Sequence, residues 1–392
     1  MRVALVTNIV PPYRVPVYQA LAATPGWTLR VFVSADSEFD RSWPVDAGGL
    51  DVVRVRNASR RRRVRTRGRA NFEQTVTLHV PIGLPTALRR FAPDVVISSE
   101  LGARTLLALL YCRLARVPLV VWSYHSRVSA TAAGAVTRRL RRALLARADA
   151  VVGMGSQARA VLADLGVPED RIFDAPNACD HDAVSKVLAG IDVEARREAL
   201  SRALGCRPRI ALVAGRLVPM KGLAELLRAW PRVPDAVRAG WSLVFVGSGP
   251  LADRIAAAEA AAAPGEILHV PALPSRELVG FYAAADLLVF PSLGDPWGLV
   301  VNEAFACGRP ALCSRLAGCA DDLIRPGENG WLFDPTDGDA FARTLEEALV
   351  SPDRARLGAG ARATAERFRP ERMAEGLRRA AGHGLGVGTE RA

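Results

Sequence analysis

Short apolar runs alternate with helix-like stretches along almost the whole chain, and the alternation runs its course twice. In the first half MRVALVTNI, WTLRVFVS, DVVRVR, PDVVISS, PLVVWSY and ADAVVGM read as strands. Between several of them lie the helical patterns Val15–Ala23, Ile82–Phe91, Ala103–Leu114 and Ala133–Ala146. Strands joined through helices of that length pair in parallel, and apolar runs without polar alternation are covered on both faces. The pattern therefore predicts an α/β architecture with doubly wound parallel sheets. Arg60–Thr77 breaks the rhythm: it is basic, lacks apolar periodicity and is expected to form a mobile loop.

The pattern restarts with PRIALVAGR, WSLVFVGSG, EILHVPAL, DLLVFPS, PALCS and GWLFDP. Helical stretches Leu223–Trp230, Leu251–Ala263, Ser275–Ala284 and Ala340–Leu349 separate these strands. A chain of 392 residues suits two domains of about 150–200 residues each. The predicted organisation is a first domain over 1–178, a hinge over 179–207 that includes the charged stretch Val193–Leu204, and a second domain over 208–369.

Composition excludes several classes. Half of the residues are hydrophobic, yet no run reaches the ~20 apolar residues that span a bilayer. The N-terminus has no small-residue cleavage site and reads as a first strand, not a leader. The six cysteines form no C-x-x-C pair, which suits a reduced, cytoplasmic protein. Net charge is +12, concentrated in Arg60–Arg63 with Arg65, Arg67 and Arg69, and in Arg138, Arg139, Arg141, Arg142 and Arg147. Such clusters fit an anionic membrane surface, giving an expected location peripheral to the inner face of a membrane; solvated faces explain them equally well. No aromatics are interleaved, so nucleic acid is not an expected partner. Oligomeric state is not legible.

The segment VFPSLGDPWGLVVNEAFACGRP sets two carboxylates, Asp295 and Glu303, eight residues apart across a turn at Pro296, Trp297 and Gly298. A strand, a loop and a helix start leave the amides of Gly298, Leu299 and Val300 facing the strand end, an anion site by geometry and dipole. Glu303, one turn on, can accept paired hydrogen bonds from a diol. This segment resembles the E-x7-E signature of glycosyltransferase family 4, retaining nucleotide-sugar enzymes of the GT-B fold, with Asp295 in place of the first glutamate. The resemblance implies two Rossmann-like domains whose parallel sheets face each other across a cleft, with an acceptor-binding first domain and a donor-binding second one. It also implies that a last helix, about 370–385, packs back on the first domain.

GRLVPMKGL places Arg216 and Lys221 around a strand-to-helix loop, where two cations can neutralise a pyrophosphate. Its spacing is similar to a second family 4 motif, which assigns both residues to the leaving diphosphate. VFVGSGPL offers Gly247 and Gly249 in a turn that, in the family, lets backbone approach the donor. His269–Leu273 falls in the loop that in the family contacts the nucleobase. By the same resemblance Asp295 holds the donor sugar, Glu303 the ribose, and His125, after VVWSY, the transferred sugar. Asn8, Tyr13 and Arg14 follow the first strand beside Pro11-Pro12 instead of a glycine-rich loop, and are assigned to the acceptor. Glu100 is a further acceptor candidate or simply a helix-terminal acid.

Two motifs are decoys. GMGSQA lacks the later strand-ending acid of a dinucleotide site and is read as Ser156 capping a helix. Asp180-His181-Asp182 belongs to an element similar to the family linker, so no metal and no cofactor are expected. The implied reaction is retaining, metal-independent transfer of a hexose from a UDP or GDP sugar to an acceptor hydroxyl. An epimerase on this fold, or a degenerate scaffold that binds polyanions or membranes, is the competing reading.

Overall fold

The computed structural model describes residues 1–37, 47–66, 72–131 and 134–386 of the chain. Among the described residues fifteen strands run in chain order: β1 (Arg2–Thr7), β2 (Thr28–Val33), β3 (Val52–Arg54), β4 (Ala58–Thr66), β5 (Phe72–Val80), β6 (Val95–Ser99), β7 (Leu119–Ser123), β8 (Ala150–Gly153), β9 (Ile172–Asp174), β10 (Arg209–Ala214), β11 (Trp241–Val246), β12 (Ile267–Val270), β13 (Leu287–Phe290), β14 (Ala311–Ser314) and β15 (Gly330–Phe333). They build a seven-stranded sheet in the order β3-β2-β1-β6-β7-β8-β9 and a six-stranded sheet in the order β12-β11-β10-β13-β14-β15. Pairing about β1 and about β10 is parallel on both sides. Strand order reverses between β1 and β6 and again between β10 and β13, the switch points where open sheets of this kind bind ligands.

The chain divides into two compact units. One comprises Met1–Val64, Thr75–Ala178 and Pro370–Ala392, the other Arg65–Gln74 and Cys179–Arg369. In the first, β1 shows why the sheet is covered on both faces. Val3 and Leu5 enter one apolar layer with Val17, Tyr18 and Leu377, while Ala4 and Val6 enter the opposite one with Leu88, Leu109 and Leu145. In the second, Ala211, Val213, Leu243, Phe245, Leu287 and Val289 face one layer that includes Trp230, Trp241 and Phe341.

The helix Pro370–Gly384 belongs to the first unit and buries Met373, Ala374, Leu377, Ala380 and Ala381. Gly376 sits where a Cβ would lie 2.1 Å from Asp174 O, so the helix backbone rests on the end of β9. Residues 179–207, expected as a hinge, instead form helices His181–Leu188 and Val193–Leu204 within the second unit. Arg197 Nη2 bonds Asp286 Oδ1 at 2.9 Å, and Asp286 Oδ2 accepts the Ile210 amide at 2.9 Å, which ties the second helix to the central strands.

Arg60–Thr77 is not the loop expected from its composition: β4 and β5 pair in a two-stranded sheet. Alternation of Thr, Val and Leu in TVTLHV carried a strand signal, but β4 is almost wholly exposed and has no apolar face to show a period. Backbone pairing alone makes it a strand. Arg67, Arg69 and the start of the stretch expected from Ala133 lie outside the described residues, and the helix there runs Ala135–Leu145. Among the described residues no helix is long and apolar enough to cross a membrane.

Leu377 is fully buried between the C-terminal helix and the first sheet. Leu377→Ala is expected to lower stability by about 3 kcal/mol, read as an earlier urea midpoint in tryptophan fluorescence; an unchanged midpoint would show that the helix is not part of that core.

Candidate active site

The central strands of the second sheet, β10 and β13, deliver the loops Gly215–Gly222 and Pro291–Gly298 to the same end of that sheet. These loops are stapled together. Ser292 Oγ accepts the amides of Gly294 and Asp295 at 3.2 and 2.9 Å and donates to Met220 O at 3.3 Å. Leu293 N donates to the same carbonyl at 2.8 Å. Gly222 has φ 69°, and a Cβ there would lie 1.8 Å from Pro291 O, so only glycine lets the loops cross this closely.

The crossing brings Lys221 against Asp295. Lys221 Nζ donates to Asp295 Oδ2, with each side chain only 14% exposed. The ammonium also lies 5.1 Å from the centre of the Phe290 ring. Burial pushes the Asp295 carboxyl up, but Lys221, the Trp297 amide and Arg216 outweigh it and hold the acid below the ordinary carboxylate range. Asp295 is therefore an ionised acceptor.

Helix Leu299–Ala306 starts from Gly298, whose φ is 121° and whose Cβ would strike Phe290 Cε1 at 2.4 Å. The amides of Leu299 and Val300 precede the first intrahelical bond, from Val301 N to Gly298 O at 2.9 Å. Val300 Cγ1 and Lys221 Cε are both 4.0 Å from the Cβ position of Gly215, so the helix start, the lysine and the Arg216 loop share one locus. Two cations and a helix N-terminus therefore converge here, an arrangement complementary to an anion. Glu303 Oε2 accepts from the Tyr282 hydroxyl at 2.7 Å. Burial raises the Glu303 carboxyl above its usual range, against the opposing pull of Tyr282 and Lys221.

Gly247 and Gly249 close over the same loop: Cβ atoms there would meet Gly215 O at 1.9 Å and Leu217 O at 2.6 Å. His269 shares a 3.0 Å hydrogen bond with Gly247 O, buttressing that turn. Pro296 is partly exposed in this loop, whereas the Trp297 side chain does not fit a ligand-facing reading. The Trp297 ring is buried, donates from Nε1 to Asn302 Oδ1 at 2.8 Å and packs 6.1 Å from Phe368, so it anchors the loop from inside. Tyr282, Ser292 and Phe290 carry the site's second layer and were not singled out from the sequence. Only folding reveals that they converge.

In the first unit Glu100 ends β6 with φ 70°, the left-handed region that costs a residue with a side chain about 1–2 kcal/mol. Its amide donates to Trp122 O at 2.8 Å and its carboxylate lies 3.7 Å from buried Arg104. The acid stays half-exposed at this strand end. His125, two residues beyond β7, lies 3.1 Å from Ser123 Oγ through Nδ1. Burial, with Arg141 beside it, pushes the imidazole down to about 3. Arg141, one of the basic cluster read from the sequence, is thus near enough to depress the imidazole. Asn8 and Tyr13 are partly exposed beyond β1. Arg14 corrects the acceptor assignment: it is 5% exposed, its guanidinium 4.6 Å from the Trp122 ring and bonded to the sulfurs of Met373 and Met154 at 2.8 and 3.3 Å. It packs the loop against the C-terminal helix.

The decoys resolve into local structure. Helix Ser156–Asp164 has Gly155, not Ser156, at its cap. Asp180 Oδ1 caps a helix through Ala183 N at 3.0 Å, His181 lies 3.7 Å from Glu366, and Asp182 bonds Arg369 at 3.0 Å, so the three side chains go to different partners.

Because His125 is held neutral in the fold, its contribution to stability is complete above its ordinary value of 6.5 and is lost as pH falls toward about 3. The Tm of the wild type is expected to fall more steeply between pH 6.5 and 4 than that of His125→Gln, measured by scanning calorimetry; parallel curves would exclude a buried neutral imidazole.

Comparison with known proteins agrees with this geometry. Residues 18–183 match the family model "Glycosyltransferase Family 4" and residues 197–364 match "Glycosyl transferases group 1", which together account for most of the chain. A D-inositol 3-phosphate glycosyltransferase of Acidothermus cellulolyticus is 32% identical over 249 residues, 60% of this chain and 53% of that protein. One from Rhodococcus opacus is 35% identical over 191 residues, 46% of this chain and 43% of that protein. The chain thus spans about half the length of the curated relatives it matches. Among solved structures, Anabaena Alr3699/HepE in complex with UDP superposes with a TM-score of 0.72 at 18% identity, covering 96% of this chain and 98% of that one. WaaG, a glycosyltransferase involved in lipopolysaccharide biosynthesis, gives 0.66 at 18% identity, covering 97% and 98%. With both halves matched and two Rossmann-like sheets in place, the chain belongs to the family 4 glycosyltransferases of the GT-B fold.

Proposed function

We propose that the protein transfers a hexose from a nucleotide diphosphate sugar to an acceptor hydroxyl with retention of anomeric configuration. The observation that carries this reading is the Lys221–Asp295 contact at the head of the helix that bears Glu303. UDP is the favoured diphosphate, with GDP the alternative, and the UDP and UDP-glucose complexes of HepE support that choice. Glu303 takes the ribose diol; Gly247, Gly249 and the amides of Gly298, Leu299 and Val300 approach the donor. Asp295 takes hydroxyls of the sugar, and His125 is assigned to the same sugar as a neutral hydrogen-bonding group.

In this reading the bond from the anomeric carbon to the diphosphate oxygen breaks and its electron pair leaves with the diphosphate. Arg216, Lys221 and the helix N-terminus are aimed at that charge, so no metal is required to offset it. Lys221 turns from Asp295 toward the phosphate as Asp295 takes up the sugar. The acceptor oxygen attacks on the face that the leaving group vacates, and its proton passes to the departing phosphate oxygen. The names of the matched relatives favour a phosphorylated cyclitol or sugar as acceptor over a polysaccharide or secondary metabolite, with Glu100, Asn8 and Tyr13 on the acceptor side. Kinetics test the donor assignment. Glu303→Ala is expected to raise donor KM with little change in kcat, and Lys221→Ala to lower kcat about 10²-fold or more. Unchanged kinetics in both would remove the donor site from this helix.

A peripheral membrane contact is part of the reading, and one face of the first unit supports it. Leu106, Leu110 and Leu114 recur every fourth residue on helix Ala103–Ala115, at 59, 54 and 80% exposure. Val136 and Leu140 are exposed on helix Ala135–Leu145, which packs on the same apolar layer through Leu145 as the first helix does through Leu109. Arg113, Arg116, Arg138, Arg139 and Arg142, on or just past the same two helices, are also exposed, a composition complementary to anionic lipid. Cosedimentation with phosphatidylglycerol vesicles is expected at low salt and to be lost in Leu106→Ser/Leu110→Ser/Leu114→Ser; equal sedimentation of that variant would place the contact elsewhere.

A further inference from the structure

A polar cavity of about 510 Å³ opens at the carboxyl ends of β2 and β3, walled on its other side by the β4–β5 pair. Its volume is within the range of about 300–1,000 Å³ typical of small-molecule sites. Arg54, Arg56, Arg61, Asn57, His79 and Ser34 are in its lining, and among the described residues that line it there is no Asp or Glu.

The backbone around it is fixed. Ser34 N and Ala35 N both donate to Asn8 O at 2.9 Å, and Val55 N donates to Val33 O at 2.9 Å. Gly83 N donates to Arg56 O at 2.9 Å, and a Cβ at Gly83 would press on Arg56 N at 2.9 Å, so the residue bearing this arginine is held from behind. Arg54 is paired with Asp36, which neutralises the nearest acid. Asn57 Nδ2 shares a 3.0 Å hydrogen bond with His79 Nδ1.

Two polar atoms remain unanswered. Ser34 is 2% exposed and its hydroxyl has no hydrogen-bond partner; Asn57 Oδ1, also buried, has none either. Polar groups buried in this state destabilise the fold unless something pairs with them. A hydroxyl can donate to an anion, and an amide oxygen can accept from a ligand hydroxyl. With the arginines, the cavity offers an anion and a hydroxyl on one molecule their complements at the same time.

We infer that this cavity seats the acceptor: a phosphate monoester of a polyhydroxylated ring, its phosphate on Arg56 and Arg61 with Ser34, and a ring hydroxyl on Asn57. The inference rests on the transferase reading, and its test separates the two. Full-length protein is saturated with UDP, so that the diphosphate site is filled, and titrated by calorimetry with inositol 1-phosphate, glucose 6-phosphate, inorganic phosphate and glucose. At least one ester is expected to bind about tenfold or more tightly than inorganic phosphate, with glucose silent. Arg56→Ala is expected to weaken that ester about tenfold and leave the UDP Kd unchanged. Arg61→Ala, on the other wall, checks the same cavity independently. Ester binding indifferent to both substitutions, no tighter than inorganic phosphate, or absent for both esters would overturn the site. Failure of UDP to bind would overturn the donor reading instead.

Discussion

Lys221 and Asp295 meet only because two strand-end loops cross at a distance that excludes a side chain from Gly222. The contact lies in a largely dehydrated place, where removing one partner of an ion pair costs about 3–5 kcal/mol. The rest of the donor side follows from it. Asp295 anchors the loop that runs into Gly298, and the helix can start there only with a glycine because the Phe290 ring leaves no room for a Cβ. The helix start then faces Gly215 and Arg216, and one turn later Glu303 reaches Tyr282. A charge pair, two glycines and a serine staple therefore place four chemically different groups with little freedom left among them.

The first unit uses different physics. Its functional candidates stand at strand ends where the fold has accepted local cost: Glu100 in a left-handed backbone conformation and His125 held neutral by partial burial. Arg14 shows the contrast. A cation in an equivalent place beyond β1 is drawn inward by aromatic faces and sulfur, and becomes packing. Position beyond a strand end is thus not enough to make a residue functional; what surrounds its head group decides.

Much of the fold was legible. Continuous apolar runs separated by helix-length segments leave parallel pairing as the only economical arrangement, and both sheets have the reversal that such winding produces. Helix Ser275–Ala284 and helix Val193–Leu204 follow their sequence patterns to the residue. The β4–β5 pairing was not legible, because β4 is solvated almost throughout and carries no hydrophobic period to match the alternation in β5. Nor was the role of 179–207: polar helices read as linker until the salt bridge from Arg197 to Asp286, at the foot of β13, is seen.

What the sequence determined by itself was the architecture, the family and the chemical types present at each loop, since periodicity and local spacing are properties of a chain read in order. Tertiary structure decided which of those groups meet. Trp297 turned inward, Arg141 came near enough to His125 to disfavour its protonation, and Ser34 and Asn57, unremarkable in sequence, came to line one cavity with three arginines. The physical reason is that burial, charge pairing and the absence of a Cβ at a crossing act between segments far apart in the chain, and their strength depends on distances that exist only after folding.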